Sequence, residues 1–222
     1  MQNNKPTVWS IWAEIGLTKN DTQGQMIDTQ LAQIYEMPNF LTHEECNNLI
    51  AKININLHRS KIVAGAKESR KSRTCALWKH QPDLSRYLDY KISKMLGVDQ
   101  RFSEPIQAQR YDEGEYYKEH TDSFTAINLR SKMASKIGGQ RTWTVMVYLN
   151  EVEEGGETFF KYLNKLFIPK TGLALAWNNL NKDGTPNRNT MHEALPVTRG
   201  SKWIITKWFR VYTGCNELHK QT

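Results

Sequence analysis

The sequence predicts an α+β fold in which an antiparallel barrel or jelly roll is packed against N-terminal helices. Before about residue 100, apolar residues recur at helical spacing, whereas short runs of β-branched and aromatic residues separated by turns follow it. The 222 residues suit one large domain, and 39% apolar content is sufficient for a core. We therefore expect residues 35–222 to form one domain and residues 1–34 to be an extension.

Two amphipathic segments predict the helices. Thr42 stands at an N-cap position with Glu45 three residues later, which is the pattern of a capping box. This pattern and the apolar spacing after it predict a helix over about residues 42–57. Asp83 is the expected N-cap of a second helix, which ends at Gly97 because glycine readily adopts the left-handed conformation found at helix C-termini.

Six short runs predict the strands of the second half. Each is rich in β-branched or aromatic residues and is bounded by turn residues. The runs lie at residues 106–111, 142–149, 157–160, 166–169, 172–177 and 202–212. Many short strands after two helices favour a barrel or jelly roll with the helices outside. The Gly-Gly-Glu-Thr segment at 155–158 is interpreted as a hairpin turn without a chemical role.

Charge, cysteine content and hydropathy bear on compartment and partners. Basic residues outnumber acidic ones by 30 to 23, and such a balance could attract nucleic acid or an acidic partner. Because the basic residues are scattered along the chain, we do not expect a nucleic-acid partner. Three distant cysteines argue against a disulfide framework and against a structural zinc site. Because no apolar run approaches the roughly 20 residues of a membrane span and the N-terminus lacks a signal-peptide pattern, we expect a cytoplasmic protein without a membrane partner.

A candidate metal site lies in the strand-rich half. His120 and Asp122 are two residues apart, so on an extended segment their side chains point to the same side. His192, directly before a predicted strand, offers a third donor. Two histidines and one carboxylate form the facial triad of non-haem Fe(II) oxygenases, which leaves three positions for a bidentate 2-oxo acid and O2. Ten residues later, Lys202 begins an apolar strand, and the distal carboxylate of 2-oxoglutarate would neutralise its ammonium.

These residues resemble the motifs of the Fe(II)- and 2-oxoglutarate-dependent prolyl 4-hydroxylases, in their short soluble bacterial and viral form. The resemblance extends over about residues 37–212. Its specific segments are residues 110–122, 141–160 and 192–210, with weaker matches at 37–50 and 72–78. It implies a double-stranded β-helix core, Fe(II) held by His120, Asp122 and His192, and 2-oxoglutarate held by Lys202.

The resemblance also implies roles for five further residues. Tyr111 and Thr144 match positions that line the 2-oxoglutarate pocket and can hydrogen-bond the distal carboxylate. Tyr117 and Trp208 match aromatic positions near the iron and the substrate proline. Arg73 matches a position in a loop that covers the peptide in this family.

The implied activity is hydroxylation of C4 of a proline in a peptide or protein. In this family O2 is the oxidant, 2-oxoglutarate becomes succinate and CO2, and ascorbate reduces iron that has become oxidised. Two alternatives stay open: the same chemistry on a nucleobase, another side chain or a small molecule, and a non-catalytic module that binds peptides. A binding module would be expected to lose metal ligands, and the nucleobase demethylases of the superfamily use arginine where Lys202 stands.

Two long polar segments flank the triad in sequence, at residues 64–80 and 123–139. A peptide must reach a metal at the mouth of a barrel, so mobile segments are expected beside the entrance. We predict that both segments are flexible lids that become ordered around a bound proline peptide.

Overall fold

The computed structural model describes residues 24–27, 29–60, 69–124 and 138–213. The strands lie in two main antiparallel sheets, and each of the six predicted runs overlaps an observed strand. They are β1 (Gln25–Met26), β2 (Ile34–Met37), β3 (His58–Arg59), β4 (Arg70–Lys71), β5 (Arg73–Ala76), β6 (Gln107–Tyr111), β7 (Tyr116–His120), β8 (Arg141–Tyr148), β9 (Glu154–Gly155), β10 (Thr158–Phe160), β11 (Lys165–Phe167), β12 (Ala174–Asn178), β13 (His192–Ala194), β14 (Val197–Arg199) and β15 (Lys202–Arg210).

The two sheets pack face to face and confirm the predicted jelly-roll class. The larger sheet has eight strands in the order β1-β2-β12-β8-β15-β6-β5-β3, and the smaller has five in the order β11-β10-β13-β7-β4. β14 and β9 form a separate pair. Aromatic and aliphatic side chains from both sheets fill one end of the space between them, where Phe160 of the smaller sheet meets Trp177 of the larger with ring centroids 5.4 Å apart.

Helix α1 (His43–Asn54) confirms the predicted capping box. The Thr42 hydroxyl accepts from the backbone N–H of Glu45 at 3.1 Å, and the Glu45 carboxylate accepts from the backbone N–H of Thr42 at 2.7 Å. Both bonds satisfy backbone donors that the first turn leaves without an intrahelical partner. Cys46, Leu49 and Ile53 form the buried stripe of this helix.

The second predicted helix begins two residues earlier than expected. After the single turn α2 (Leu77–His80), helix α3 (Pro82–Leu96) begins at a proline, which suits a first helical position because the missing N–H has no partner there. Asp83 therefore lies inside the first turn, and the prediction that it is the N-cap was wrong. The predicted end is confirmed, since Gly97 takes a left-handed conformation with φ of 71°.

The central strands β8 and β15 are buried on both faces, and each face meets a different layer. One face packs against α1 and α3 through apolar side chains such as Val145, Ile205 and Phe209. The other face looks into the space between the sheets. On β15 that face carries Lys202, Thr206 and Trp208 in alternation, which places all three on the wall of one cavity.

Other parts of the prediction fall partly or wholly outside the described residues. Residues 64–68 of the first predicted lid and residues 125–137 of the second are not described. The flexibility of both lids therefore stays a prediction. The described remainder of the first segment forms β4, β5 and α2. From the proposed N-terminal extension, β1 adds an edge strand by pairing with β2. Among the helices of the described ranges, none is both long and apolar enough to cross a membrane.

Candidate metal centre

The three candidate ligands meet in the cavity between the sheets. His120 ends β7 and His192 begins β13, and the two residues are register partners across this antiparallel pair. Asp122 follows two residues after His120, as the sequence spacing predicted. One donor atom from each residue lies within 4.8 Å of the other two, and Nε2 of His120 is 3.9 Å from Oδ1 of Asp122. This spacing can accommodate a single metal ion.

Backbone carbonyls orient both imidazoles. Nδ1 of His120 lies 2.9 Å from the carbonyl oxygen of Lys118, and Nδ1 of His192 lies 2.9 Å from that of Thr190. A carbonyl can only accept, so each Nδ1 must carry the hydrogen. Nε2 is then the lone-pair nitrogen on each ring, which is the arrangement that metal-ligating histidines usually show.

The electrostatic surroundings favour the protonation states that a metal needs. Burial, reinforced by the neighbouring His192, lowers the pKa of His120, so its imidazole is neutral near pH 7. Burial opposes ionisation of Asp122, but His192, His120, Arg141 and a hydrogen bond from Thr144 hold the pKa of that carboxyl below its ordinary value. A neutral imidazole beside an ionised carboxylate is ready to bind a cation without first losing a proton.

Aromatic rings restrict the two histidines further. Tyr117 stacks on His120 with ring centroids 3.6 Å apart and planes inclined by 16°. Phe160 stacks on His192 at 5.2 Å, and the edge of Trp177 meets the same imidazole at 5.0 Å. These contacts limit rotation of the imidazoles, so the donor positions are largely set by the fold before any ligand binds.

Lys202 is buried on the wall of the same cavity. Its side chain is 1% exposed, and its Nζ donates to the Thr158 hydroxyl at 3.3 Å. Tyr148 donates to the same hydroxyl at 2.7 Å. Among the described residues, no carboxylate forms an ion pair within 4.0 Å of this ammonium, and Glu157 acts on it only from a greater distance. Burial therefore lowers the pKa of Lys202 to about 7.

One cavity of about 220 Å³ joins the three ligands to Lys202. Its wall includes three more of the sequence-predicted residues, Tyr111, Tyr117 and Trp208. Tyr111 is the register partner of Lys202 across β6 and β15, and the Lys202 Nζ lies 5.6 Å from the centre of its ring. The cavity can thus hold a cation at its cluster of donors and an anion beside its lysine.

Two predicted residues lie away from the positions that the sequence suggested. Arg73 pairs with Asp112 at 3.1 Å, is about half exposed and is not part of the cavity wall. Its predicted role over a peptide stays a prediction. The basic side chain of this region on the wall is Arg70, whose guanidinium lies 4.9 Å from the Tyr117 ring centre. The hydroxyl of Thr144 donates a hydrogen bond to the carboxylate of Asp122.

Thr158 and Arg141 are among the polar residues of the cavity wall that sequence reasoning missed. Thr158 contacts Lys202 although its segment was interpreted only as a turn. Arg141 lies 4.0 Å from the centre of the Trp208 ring and is held by Glu104 through two hydrogen bonds of 2.7 Å. A lysine without an acid nearby in sequence could have prompted a search for hydroxyl partners such as Thr158. No sequence pattern joins Glu104 to Arg141, because they are 37 residues apart.

Comparisons with known proteins agree with this geometry. A family model described as the 2OG-Fe(II) oxygenase superfamily matches residues 106–210, which contain all three candidate ligands and Lys202. A protein of Acanthamoeba polyphaga mimivirus named as a prolyl 4-hydroxylase is 31% identical over 194 residues, covering 86% of this chain and 80% of its own length. Prolyl 4-hydroxylase 5 of Arabidopsis thaliana is 31% identical over 199 residues, which cover 78% of this chain and 67% of the plant protein.

A solved structure gives the same result at the level of the fold. The viral collagen prolyl hydroxylase of Paramecium Bursaria Chlorella virus-1, crystallised as a 2OG complex, has a TM-score of 0.64 and 26% sequence identity to this chain. The match covers 80% of this chain and 95% of the viral protein. Sequence, cavity and neighbours therefore agree: the chain belongs to the prolyl 4-hydroxylase family of 2-oxoglutarate- and Fe(II)-dependent oxygenases.

Proposed function

We propose that this chain hydroxylates C4 of proline in a peptide or protein, using Fe(II), O2 and 2-oxoglutarate and releasing succinate and CO2. The observation that carries the proposal is the uneven charge of the cavity. Two histidines and a carboxylate form a cation site, whereas the buried ammonium of Lys202 on the same wall forms no ion pair with a carboxylate of the described residues. A metal and a dicarboxylate together would neutralise both.

His120, Asp122 and His192 are the proposed ligands of Fe(II). Two imidazoles and a carboxylate are the donor set of non-haem Fe(II) oxygenases, and all three side chains reach the cavity. When bound, Fe(II) would supply the oxidative chemistry of the reaction. The chain itself holds the His120 imidazole neutral and the donor nitrogens of both histidines in place. Ascorbate as a reductant for the metal is proposed on family membership alone.

Lys202 is the proposed partner of the distal carboxylate of 2-oxoglutarate. An ammonium buried to this extent costs free energy unless an anion meets it, and Thr158 offers only a hydroxyl. Tyr111 and Tyr148 border the lysine, with ring centres 5.6 and 5.4 Å from its Nζ. Their apolar faces would exclude water around the ion pair and strengthen it.

The proposed site for the proline lies between Tyr117 and Trp208. Both rings are on the cavity wall, Tyr117 stacks on the candidate ligand His120, and an apolar pyrrolidine ring packs well against aromatic faces. We propose residues 35–222 as the dioxygenase domain, with residues 1–34 as an extension of which β1 joins the larger sheet.

A turnover assay with defined peptides tests the proposal. The purified protein would be incubated with Fe(II), 2-oxoglutarate, ascorbate and O2, together with collagen-like or single-proline peptides, and succinate and peptide mass would be followed. We expect succinate formation in proportion to peptides that gain one oxygen atom. Matched peptides with alanine or 4,4-difluoroproline in place of proline should gain none, because the reactive C4–H is missing.

Three outcomes of this assay separate the alternatives. Oxidation of a single-stranded oligonucleotide in place of the peptides would favour a nucleobase substrate. Succinate formation that does not depend on any peptide would support the Fe(II) and 2-oxoglutarate chemistry but contradict proline hydroxylation. Peptide binding without any succinate would indicate a non-catalytic module.

A further inference from the structure

We propose that Thr144 and Asn179 form a hydrogen-bonded relay that makes Asp122 bind the metal through one carboxylate oxygen. The inference rests on the proposed function, since it takes Asp122 to be a ligand. Thr144 lies on β8, and Asn179 directly follows the neighbouring strand β12. Both side chains are fully buried, at 0% exposure. The relay is therefore anchored in the larger sheet, whereas Asp122 lies in the segment that follows β7.

The chemistry of each group fixes the direction of the two hydrogen bonds. Nδ2 of Asn179 can only donate, and it lies 2.8 Å from Oγ1 of Thr144. The single hydroxyl hydrogen of Thr144 is then free for Oδ2 of Asp122, at 2.7 Å. If the Asn179 amide were reversed, its oxygen would compete for that hydrogen and the carboxylate would lose its donor.

This direction leaves one buried atom of Asn179 unsatisfied. Oδ1 of Asn179 is buried and has no hydrogen-bond partner among the described residues. A buried acceptor without a donor costs free energy, and reversing the amide would bring this oxygen to the Thr144 hydroxyl. The arrangement therefore leaves Asn179 incompletely satisfied while Asp122 keeps its hydrogen bond.

The consequence for the metal follows from counting positions. With Oδ2 engaged by Thr144, the oxygen left for a metal is Oδ1, which is the one that faces Nε2 of His120. One oxygen and two imidazoles occupy three of six octahedral positions, which leaves three for a bidentate 2-oxo acid and O2. A carboxylate that bound through both oxygens would take a fourth position. Thr144 and Asn179 are thus positioning residues that keep a coordination position open.

The first test measures metal affinity alone. Metal-free protein would be titrated with Mn(II), without 2-oxoglutarate or peptide, and bound metal followed by electron paramagnetic resonance. Thr144→Val removes the hydroxyl at nearly constant shape and should weaken Mn(II) binding about 10- to 100-fold, as loss of a ligand's hydrogen-bond partner usually does. Thr144→Ser keeps the hydroxyl and should retain most of the affinity.

Thr142→Val is the matched control. Thr142 lies two residues earlier on β8, is 2% exposed, and its hydroxyl has no hydrogen-bond partner among the described residues. The same substitution there should leave Mn(II) affinity unchanged. Asn179→Ala should cause an intermediate loss in the wild-type background and none in Thr144→Val, because Asn179 acts only through the hydroxyl.

A second readout reports geometry directly. The visible absorption of Co(II) bound at the site depends on its coordination number, so Thr144→Val should change the band intensities while Thr142→Val should not. Wild-type affinity and an unchanged Co(II) spectrum in Thr144→Val would overturn the relay, as would an equal loss in Thr142→Val. A wild-type protein that binds no Mn(II), or an Asp122→Ala variant that binds it equally well, would overturn the proposed metal centre itself.

Discussion

Strand β15 carries two buried lysines on opposite faces, and their surroundings differ. Lys207 faces the helices and donates to Asp89 of α3 at 2.5 Å. Lys202 faces the cavity and donates only to the Thr158 hydroxyl among the described residues. Both lysines are buried, at 0% and 1% exposure. Similar burial on one strand thus comes with a contacting counter-ion for Lys207, whereas Glu157, the carboxylate that acts on Lys202, makes no ion pair with it.

The difference separates stability from ligand binding. On the helix side, the ion pair between Lys207 and Asp89 joins helix α3 to the sheet. Loss of one partner would lower the free energy of unfolding. On the cavity side, an unneutralised charge destabilises the co-substrate-free protein and stabilises whatever anion enters. Changes on the cavity face of the larger sheet should therefore alter binding and activity, whereas changes on the helix face should alter the free energy of unfolding.

The largest expected effect comes from the metal ligands. His120→Ala, His192→Ala or Asp122→Ala should abolish Fe(II) binding and succinate formation together, because each removes one of three protein donors. The melting temperature of the metal-free protein should change little, since strand hydrogen bonds do not need the metal. Metal titration, turnover and thermal unfolding of the same preparations provide the check. Full succinate production by any of the three variants at saturating Fe(II) would contradict the assignment.

Lys202→Met should have the next largest effect. Loss of one partner from a desolvated ion pair costs about 3–5 kcal/mol, which corresponds to at least about 100-fold in the Michaelis constant for 2-oxoglutarate. The Michaelis constant for peptide should change far less. The free energy of unfolding without co-substrate should stay the same or rise, because a buried charge is replaced by an apolar chain of similar length. Equal 2-oxoglutarate affinity in wild type and variant would remove Lys202 from the site.

Lys207→Met reverses this pattern and completes the comparison. It leaves the Asp89 carboxylate, 17% exposed, without its counter-ion, so denaturant unfolding should show a loss of about 3 kcal/mol. The Michaelis constant for 2-oxoglutarate should be unchanged. The double variant Lys207→Met with Asp89→Leu should recover most of the lost stability, because no unpaired charge remains. If Lys207→Met instead weakened 2-oxoglutarate binding as much as Lys202→Met, the two faces would not be functionally separate.

Local patterns predicted much of the fold. The capping box could be predicted because its two partners, Thr42 and Glu45, lie within one helical turn. The largely buried strands β8 and β15 could be predicted from their long apolar and aromatic runs. By contrast, β7 has a mostly polar, partly exposed sequence, so nothing in its composition marked it as the strand that carries His120. Its place in the smaller sheet depends on pairing with β13, about 70 residues away in sequence.

The candidate site could be predicted where its residues lie at short, regular spacings in the sequence. The two-residue spacing of His120 and Asp122 and the strand parity of Lys202 and Trp208 are local, and the structure brings all four to one cavity. The hydrogen bond from Thr144 to Asp122 joins two segments 22 residues apart, so no local pattern contained it. The contact that orients Asp122 thus depends on how distant segments pack together, which only the folded chain shows, whereas the carbonyls that orient the two histidines lie only two residues away.

The smallest predicted effect concerns pH and follows from the same lysine. Burial lowers the pKa of Lys202 to about 7 in the co-substrate-free protein, whereas an unfolded chain keeps it near 10.5. Between these values the unfolded state binds the additional proton, so this group makes the co-substrate-free protein more stable as the pH rises through that window. A carboxylate beside the ammonium would raise its pKa again. Binding of 2-oxoglutarate above pH 7 must therefore take up a proton.

The expected result is a dissociation constant for 2-oxoglutarate that rises about fivefold from pH 7 to pH 8 at saturating Mn(II), and about tenfold more from pH 8 to pH 9. Calorimetry in two buffers of different ionisation enthalpy would measure the proton uptake directly. Lys202→Met is the control, since its weak binding should not vary with pH in this range. Weaker metal binding cannot mimic the effect, because rising pH favours metal binding by such ligands and does not oppose it. A constant affinity and no proton uptake in the wild type would show that Lys202 already carries its charge before the co-substrate arrives, and would remove the difference between the two faces of β15.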